Sequence, residues 1–335
     1  MKVSMTYTGR DLILLLTNKE DLTADFVVLE LQKRNIPYFR FNTEDFPYKI
    51  KAGISCRNSL VNGYIDDGKN IIDLKGVKSI WYRRPKRAVP GENINNEFER
   101  FCRMESWYFL RGLWENIDCF WVSHPYNLEK ARSKIRQLAV AQQIGLKIPD
   151  TLVSNNPSEV KRFFEELKGE MVVKPVRSGL VRGDVKDYVI YTSKVSVEHL
   201  EKLDGLKFAP SIFQACIPKK YDIRVTVIGE KVFPVEIHSQ SNPEAVIDWR
   251  KPQDVKLEHR VHDLPVEIKT KCLQLVKFYG IQFAAIDLVL SRDGKYYFLE
   301  LNPNGQWAWI EQRTGIPLTE SLVDLLVNLD SDACK

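Results

Sequence analysis

Hydrophobic positions along this chain follow two periods. Short, nearly continuous apolar runs mark buried strands, and apolar residues three and four apart mark amphipathic helices. Leu12-Ile13-Leu14-Leu15-Leu16 is the first such run, inside a strand over 11–17. Thr17-Asn18-Lys19-Glu20-Asp21 breaks it and offers helix caps, and Leu22, Phe26 and Leu29 then recur at helical spacing until Asn35-Ile36-Pro37 stops the helix. A second strand, Tyr38-Phe39-Arg40-Phe41, follows. Strand, helix, strand in this order predicts a parallel pair with a crossover. Asp66-Asp67-Gly68 reads as a hairpin turn between two short strands, and 78–82 is a further strand closed by Arg83-Arg84-Pro85. Residues 97–116 predict an amphipathic helix whose Phe98, Phe101, Trp107, Leu110 and Trp114 suit a core or an interface.

A new segment opens at His124-Pro125. Its helix, 128–144, carries Lys130, Arg132, Lys134 and Arg136 and ends at Gly145 and Pro149. Then come a strand at 151–153, a helix at 157–167 with Pro157 in its first turn, and the buried strand Met171-Val172-Val173-Lys174-Pro175. A lysine closing an apolar strand needs a counter-charge, which a phosphate would supply; otherwise it snorkels to solvent. The loop 176–184 and a strand over 212–218 follow. Residues 221–235 read as a hairpin turning at Gly229, with Asp222 and Arg224 on one face and Ile223, Val225 and Val227 on the other. An arginine among buried neighbours either braces phosphate oxygens or joins a cross-strand ion pair. His238, on an edge strand, reads as structural. Helices at 266–279 and 318–329 flank the last hairpin.

That hairpin carries the most pointed chemistry. Ala285-Ile286-Asp287-Leu288-Val289-Leu290 and Tyr296-Tyr297-Phe298-Leu299-Glu300-Leu301-Asn302 are apolar strands joined through Ser291-Arg292-Asp293-Gly294. Buried carboxylates are costly without compensating charge. Glu300 and Asn302 share a strand face and the turn folds Asp287 back towards them, so three oxygen donors converge as a hard cation such as Mg²⁺ requires. The alternative is an acid capping a turn and another paired with a surface lysine.

Composition narrows the class. A chain of 335 residues, 44% hydrophobic and 11% aromatic, suits two or three domains with sizeable cores. A net charge of +5, from 49 basic and 44 acidic residues, is too balanced to argue for nucleic acid by itself, so no nucleic-acid partner is expected, and it suits an anionic small ligand or an acidic peptide equally well. Cys56, Cys102, Cys119, Cys216, Cys272 and Cys334 form no Cys-x-x-Cys, so neither a zinc site nor a disulfide framework is indicated. No export signal or membrane span is apparent, and a cytoplasmic protein is expected. No glycine-rich loop follows the first strand, which argues against a dinucleotide fold. Arg83-Arg84-Pro85 reads equally as an anion contact or a solvated strand end.

The acid, turn, Glu-x-Asn pattern resembles the metal hairpin of the ATP-grasp ligases, and other residues stand in that family's order over 123–335. Ser133-Lys134 with Gly145-Leu146 and Ile148-Pro149 resembles the entry to the ATP-grasp module. The resemblance implies an α/β and α+β ATP-grasp fold with an N-terminal α/β lobe (1–122), a central lobe (123–210) and a C-terminal lobe (211–335). It implies that ATP and two Mg²⁺ ions bind. Lys134 and Lys174 would reach the phosphates, the backbone at Gln214 and Ile217 the adenine, Asp222 the ribose or phosphates, and Arg224 the transferring phosphoryl group. Asp287, Glu300 and Asn302 would hold the metal, and the loop 177–184 would close over the triphosphate.

Finer texture is similar to the peptide-maturing enzymes of the microviridin type, the graspetide macrocyclases. It lies in Trp81-Tyr82-Arg83-Arg84-Pro85, Asp222-Ile223-Arg224, Asp248-Trp249-Arg250 and Glu300-Leu301-Asn302-Pro303-Asn304-Gly305-Gln306-Trp307. That resemblance implies a ribosomal precursor peptide, leader plus acidic core, as partner. Its Asp or Glu side chains would be joined to Ser/Thr hydroxyls or Lys amines of the same peptide. Arg83, Arg84, Asp248, Arg250 and Asn304 are candidate substrate contacts, and a homodimer is compatible. A ligase coupling an amino acid to a protein tail or small molecule, and a non-catalytic nucleotide-binding module, stay open.

Overall fold

The computed structural model describes residues 5–7, 11–58, 60–91, 94–183, 185–251 and 256–328. Asp184, the expected helix end at 329 and Cys334 lie outside them. The chain divides into two compact units, residues 1–125 with 317–335, and residues 126–316.

In the first unit, β1 (Met5–Tyr7), β2 (Leu12–Thr17), α1 (Leu22–Lys33), β3 (Tyr38–Asn42), β4 (Lys51–Arg57), β5 (Leu60–Asp66), β6 (Asn70–Asp73), β7 (Val77–Tyr82), α2 (Asn96–Glu115) and β8 (Phe120–Val122) follow one another. A parallel sheet runs β3-β2-β7-β8. All six residues of β2 are buried, as a strand covered on both faces requires, which explains its unbroken apolar run. A second sheet runs β1-β6-β5-β4, with the expected antiparallel β5–β6 hairpin.

The C-terminal helix Leu318–Val327 also belongs to this unit. It packs on α1 and β7, burying Leu318, Leu322, Val323 and Leu326. Ser79 Oγ donates to Leu326 O at 2.8 Å, and Arg34 pairs with Asp324 at 2.7 Å. The expected C-terminal lobe over 211–335 is thus divided between the two compact units. Helix α2 is amphipathic, as expected: Leu110, Leu113 and Trp114 are buried, whereas Phe98, Phe101 and Trp107 are exposed.

The second unit begins with a helix broken in two, α3 (Pro125–Ala131) and α4 (Lys134–Gln143), where one continuous helix was expected. Ser133 causes the break: its hydroxyl accepts the Arg136 N–H and caps α4. Then come β9 (Thr151–Ser154), α5 (Pro157–Glu166), β10 (Met171–Pro175), β11 (Leu180–Val181), β12 (Tyr188–Val189), β13 (Ser193–Lys194), α6 (Val197–Leu200) and β14 (Ser211–Ala215). A sheet ordered β13-β10-β14-β9 covers a core of Val160, Met171, Val195, Leu206 and Phe213. Because β14 lies in this sheet, the central lobe extends past residue 210.

The remaining strands are β15 (Lys219–Ile228), β16 (Lys231–Ile237), β17 (His259–Val261), β18 (Phe283–Ser291) and β19 (Tyr296–Asn302), with helices α7 (Val266–Phe278) and α8 (Ala308–Thr314). They form an antiparallel sheet ordered β17-β16-β15-β18-β19, with α7 on β15 and β18. The edge strand beside β16 is β17; His238 lies beyond the end of β16 and bonds Glu236 at 2.8 Å. Among the described residues no helix is long and apolar enough to cross a membrane, and Cys56, Cys102, Cys119, Cys216 and Cys272 are free thiols.

Candidate active site

The β18–β19 hairpin sets the site through an irregularity. From the turn, Leu290 faces Tyr296, Val289 faces Tyr297 and Leu288 faces Phe298; then Asp287 faces Glu300 and Leu299 is skipped. A one-residue bulge inverts the face of everything beyond it. Without it, Leu299 would oppose Asp287, and Glu300 and Asn302 would point away. The turn alone does not bring the three together; the bulge does. Asn302 Nδ2 donates to Asp287 Oδ2 and to Glu300 Oε1, at 3.1 Å each.

Cations surround this trio. Lys134, the first residue of α4, places Nζ 2.8 Å from Glu300 Oε2. Lys174, at the end of β10, donates at 3.4 Å to the carbonyl of the bulged Leu299. Arg224 stands opposite Asp287 across β15–β18 and donates to its Oδ1 at 2.6 Å and to Gln306 O at 3.3 Å. Burial opposes ionisation of both carboxyls, but Lys134 and then Lys174 hold Glu300 below its ordinary value. Asp287 is pushed up by burial and by Glu300, against Arg224 and Arg250. Burial lowers Lys174 to about 8, against the pull of Glu300. These are groups whose ionisation is shifted by burial and by one another in one cleft, a common mark of a working site.

Asp222 is buried on the Arg224 face, but its partner is Lys219, with Nζ 3.0 and 2.9 Å from its two oxygens. Ser239 Oγ donates to Asp222 at 2.5 Å, and Lys219 also reaches Ile247 O at 3.1 Å. Sequence period conceals Lys219. Residues three apart on a strand face opposite ways, but β15 bulges between Lys219 and Tyr221 and turns Lys219 onto the face of Asp222. Asp248, 4% exposed, takes the Thr192 N–H at 3.0 Å and two Arg250 guanidinium donors at 2.8 and 2.7 Å. Arg250 Nη1 lies 4.0 Å from Glu300.

A cavity of about 630 Å³ opens on Lys134, Lys174, Asp222, Arg250, Asp287 and Glu300. Asn302, Gln214 and Ile217 line it too, as does Lys219. The Gln214 side chain is tied to Thr151 Oγ1 at 2.8 Å, which leaves the segment beyond β14 to present Ile217. Next to the cavity the short β11–β12 ladder replaces the expected open loop.

Arg83 is fully buried and lies 3.4 Å from Asp21. Its burial, reinforced by Arg84, lowers it to about 9. Arg84 is exposed, and its carbonyl takes the Asn18 amide at 2.6 Å. Asn304 is half-buried just beyond β19.

The donor set fits magnesium. Among the described residues no group of three or more His, Cys, Asp and Glu side chains could hold a metal. Two carboxylates, each 3.1 Å from one amide, instead match a cation that takes its remaining ligands from phosphates and water.

Residues 12–129 match the model of the MvdD pre-ATP grasp domain, and residues 131–326 that of the RimK-like ATP-grasp domain. A RiPP-associated ATP-grasp ligase of Chryseobacterium gregarium, solved in complex with ADP and a leader and core peptide, is 31% identical. It superposes with a TM-score of 0.87 over 94% of this chain and 96% of that one. The macrocyclase MdnC of Microcystis aeruginosa MRC, solved with precursor peptide MdnA, is 30% identical with a TM-score of 0.84 over 97% and 100% of the two chains. A probable alpha-L-glutamate ligase 1 of Shewanella sp. (strain ANA-3) is 28% identical over 221 residues, 65% of this chain and 70% of that protein. The chain is therefore built as an ATP-grasp ligase, an ADP-forming, ATP-dependent enzyme. Within that class it belongs to the peptide maturases of the microviridin type.

Proposed function

We propose that this enzyme activates Asp or Glu side chains of a ribosomal precursor peptide and joins them to Ser/Thr hydroxyls or Lys amines of the same peptide. The observation that carries this reading is the convergence of Lys134, Lys174, Asp287, Glu300 and Asn302 at one cavity, with Arg224 paired to Asp287. Asp287, Glu300 and Asn302 would hold two magnesium ions, which when bound screen the β- and γ-phosphate charge. Lys134 and Lys174 exchange their protein partners for phosphate oxygens, and Arg224 steadies the group in transfer. Positioning and electrostatics are most of what phosphoryl transfer needs.

A substrate carboxylate oxygen attacks the γ-phosphorus and ADP leaves, giving an acyl phosphate. A hydroxyl or amine of the peptide then attacks the acyl carbon, loses its proton and expels phosphate. Water must be kept from that intermediate, a task suited to the β11–β12 segment beside the cavity. No enzyme nucleophile is required.

Incubation with ATP, Mg²⁺ and a candidate precursor tests the reading. Ring closure releases one ADP and removes the mass of one water per bond. Joining a separate amino acid would instead add its mass less water, the outcome favoured by kinship to the glutamate ligases. Nucleotide binding without any ADP release would leave a non-catalytic module.

A further inference from the structure

Gln137 lies one turn beyond Lys134 on α4 and is 1% exposed. Its Nε2 donates to Leu301 O at 2.7 Å and to Ala131 O at 2.6 Å, and its Oε1 accepts the Leu301 N–H at 2.9 Å. Leu301 stands between Glu300 and Asn302. Strand β19 ends its sheet, and an edge strand leaves one row of backbone groups without a strand partner. The Gln137 amide gives Leu301 the donor and acceptor that another strand would give. A carboxylate lacks the donor and an ammonium lacks the acceptor.

The second Gln137 N–H ties down the end of α3, where the chain breaks before Ser133. Lys134 and Gln137, three apart, share one face of α4, and Lys134 reaches Glu300 at 2.8 Å. One buried side chain thus spans the helix bearing Lys134 and the strand bearing Glu300 and Asn302.

We propose that Gln137 is a positioning residue that holds Lys134 and the Glu300–Asn302 pair at their working separation and so sets cation affinity. The assignment rests on the magnesium–nucleotide reading of that site. Groups that orient metal ligands typically contribute about 10–100-fold in metal affinity or activity.

The test uses the full chain and Gln137→Met, which fills the same volume without the amide. Binding of Mn²⁺, a spectroscopic stand-in for Mg²⁺, is followed by electron paramagnetic resonance in the presence of ADP. The expected result is a Kd for Mn²⁺ raised about tenfold or more, with ADP affinity at saturating cation changed less than threefold. A similar rise is expected in the Mg²⁺ needed for half-maximal ADP release. A merely structural role would weaken both ligands together, and that outcome, or an unchanged Kd for Mn²⁺, overturns the proposal. If Gln137→Met does not fold, Gln137→Asn, which keeps an amide too short to reach, is read by the same criterion. Failure of both to fold would make Gln137 a folding residue and also overturn it. Glu300→Ala runs alongside: Mn²⁺ binding retained there sinks the site itself, whereas loss there with Gln137→Met unaffected sinks only the role of Gln137.

Discussion

Two buried arginines of this chain each stand beside an aspartate. Arg83 and Asp21 are 3.4 Å apart with side chains 1% exposed. Arg224 and Asp287 are 2.6 Å apart, and Asp287 borders the ligand cavity. Their surroundings differ more than the pairs do. Around Asp287 lie Glu300, Asn302 and Arg250, several charges competing for a few positions. Around Asp21, Thr17 donates a hydrogen bond at 2.8 Å. A buried ion pair is weak evidence of function; a cluster of like and unlike charges opening on a cavity is stronger.

The difference is open to direct attack. Glu300→Ala is expected to reduce peptide-dependent ADP release at least 10²–10³-fold, about the scale for losing a preorganised electrostatic partner. Wild-type-like turnover would remove the metal assignment. Arg224→Ala should lower kcat by about 10²-fold with a smaller change in KM for ATP, because its strongest contact is expected with the group in transfer. Its Tm should move little, since Asp287 keeps Arg250 as a cationic neighbour. A KM effect larger than the kcat effect would assign Arg224 to ground-state binding.

Arg83→Ala should do the reverse. Removing one partner of a fully buried pair costs about 3–5 kcal/mol of stability, read in denaturant unfolding, while turnover per folded molecule stays at the wild-type value. A loss of turnover with unchanged stability would instead make Arg83 a substrate contact.

The smallest expected effect is in pH. Burial holds folded Lys174 at about 8, below the ordinary 10.5. Between those values the unfolded chain binds more protons, so stability of the nucleotide-free protein should rise with pH from about 8 to 10.5. Nucleotide affinity should run the other way above pH 8, weakening by up to about tenfold per unit as the ammonium loses its proton. Lys174→Met should flatten both slopes, measured by unfolding and by titration with ADP. Slopes retained in that variant would place the titration on another group.

Much of the site was legible before any coordinates. Apolar runs located β2, β10, β18 and β19, and the acids and lysines that interrupt or close them stand out because burying charge is expensive. Lys134, Lys174, Arg224, Asp287, Glu300 and Asn302 do converge. Less legible were partners. Asp222 and Arg224 share a face as period two predicts, yet one pairs with Lys219 and the other with Asp287. Arg83 and Arg84 are neighbours in sequence, but one is interior and the other exposed.

What the order of residues determined alone was the inventory: which strands are buried, and which oxygen donors and cations they carry. Chemical type and local period are properties of a few consecutive residues, so both can be read along a line. Folding in three dimensions decided the rest. Bulges at Lys220 and Leu299 reversed the faces of Lys219 and Glu300. The last helix joined the first unit, and Gln137 found Leu301 far along the chain. A one-residue slip or a distant hydrogen bond leaves no periodic trace, because its energy comes from neighbours that only the folded chain brings together.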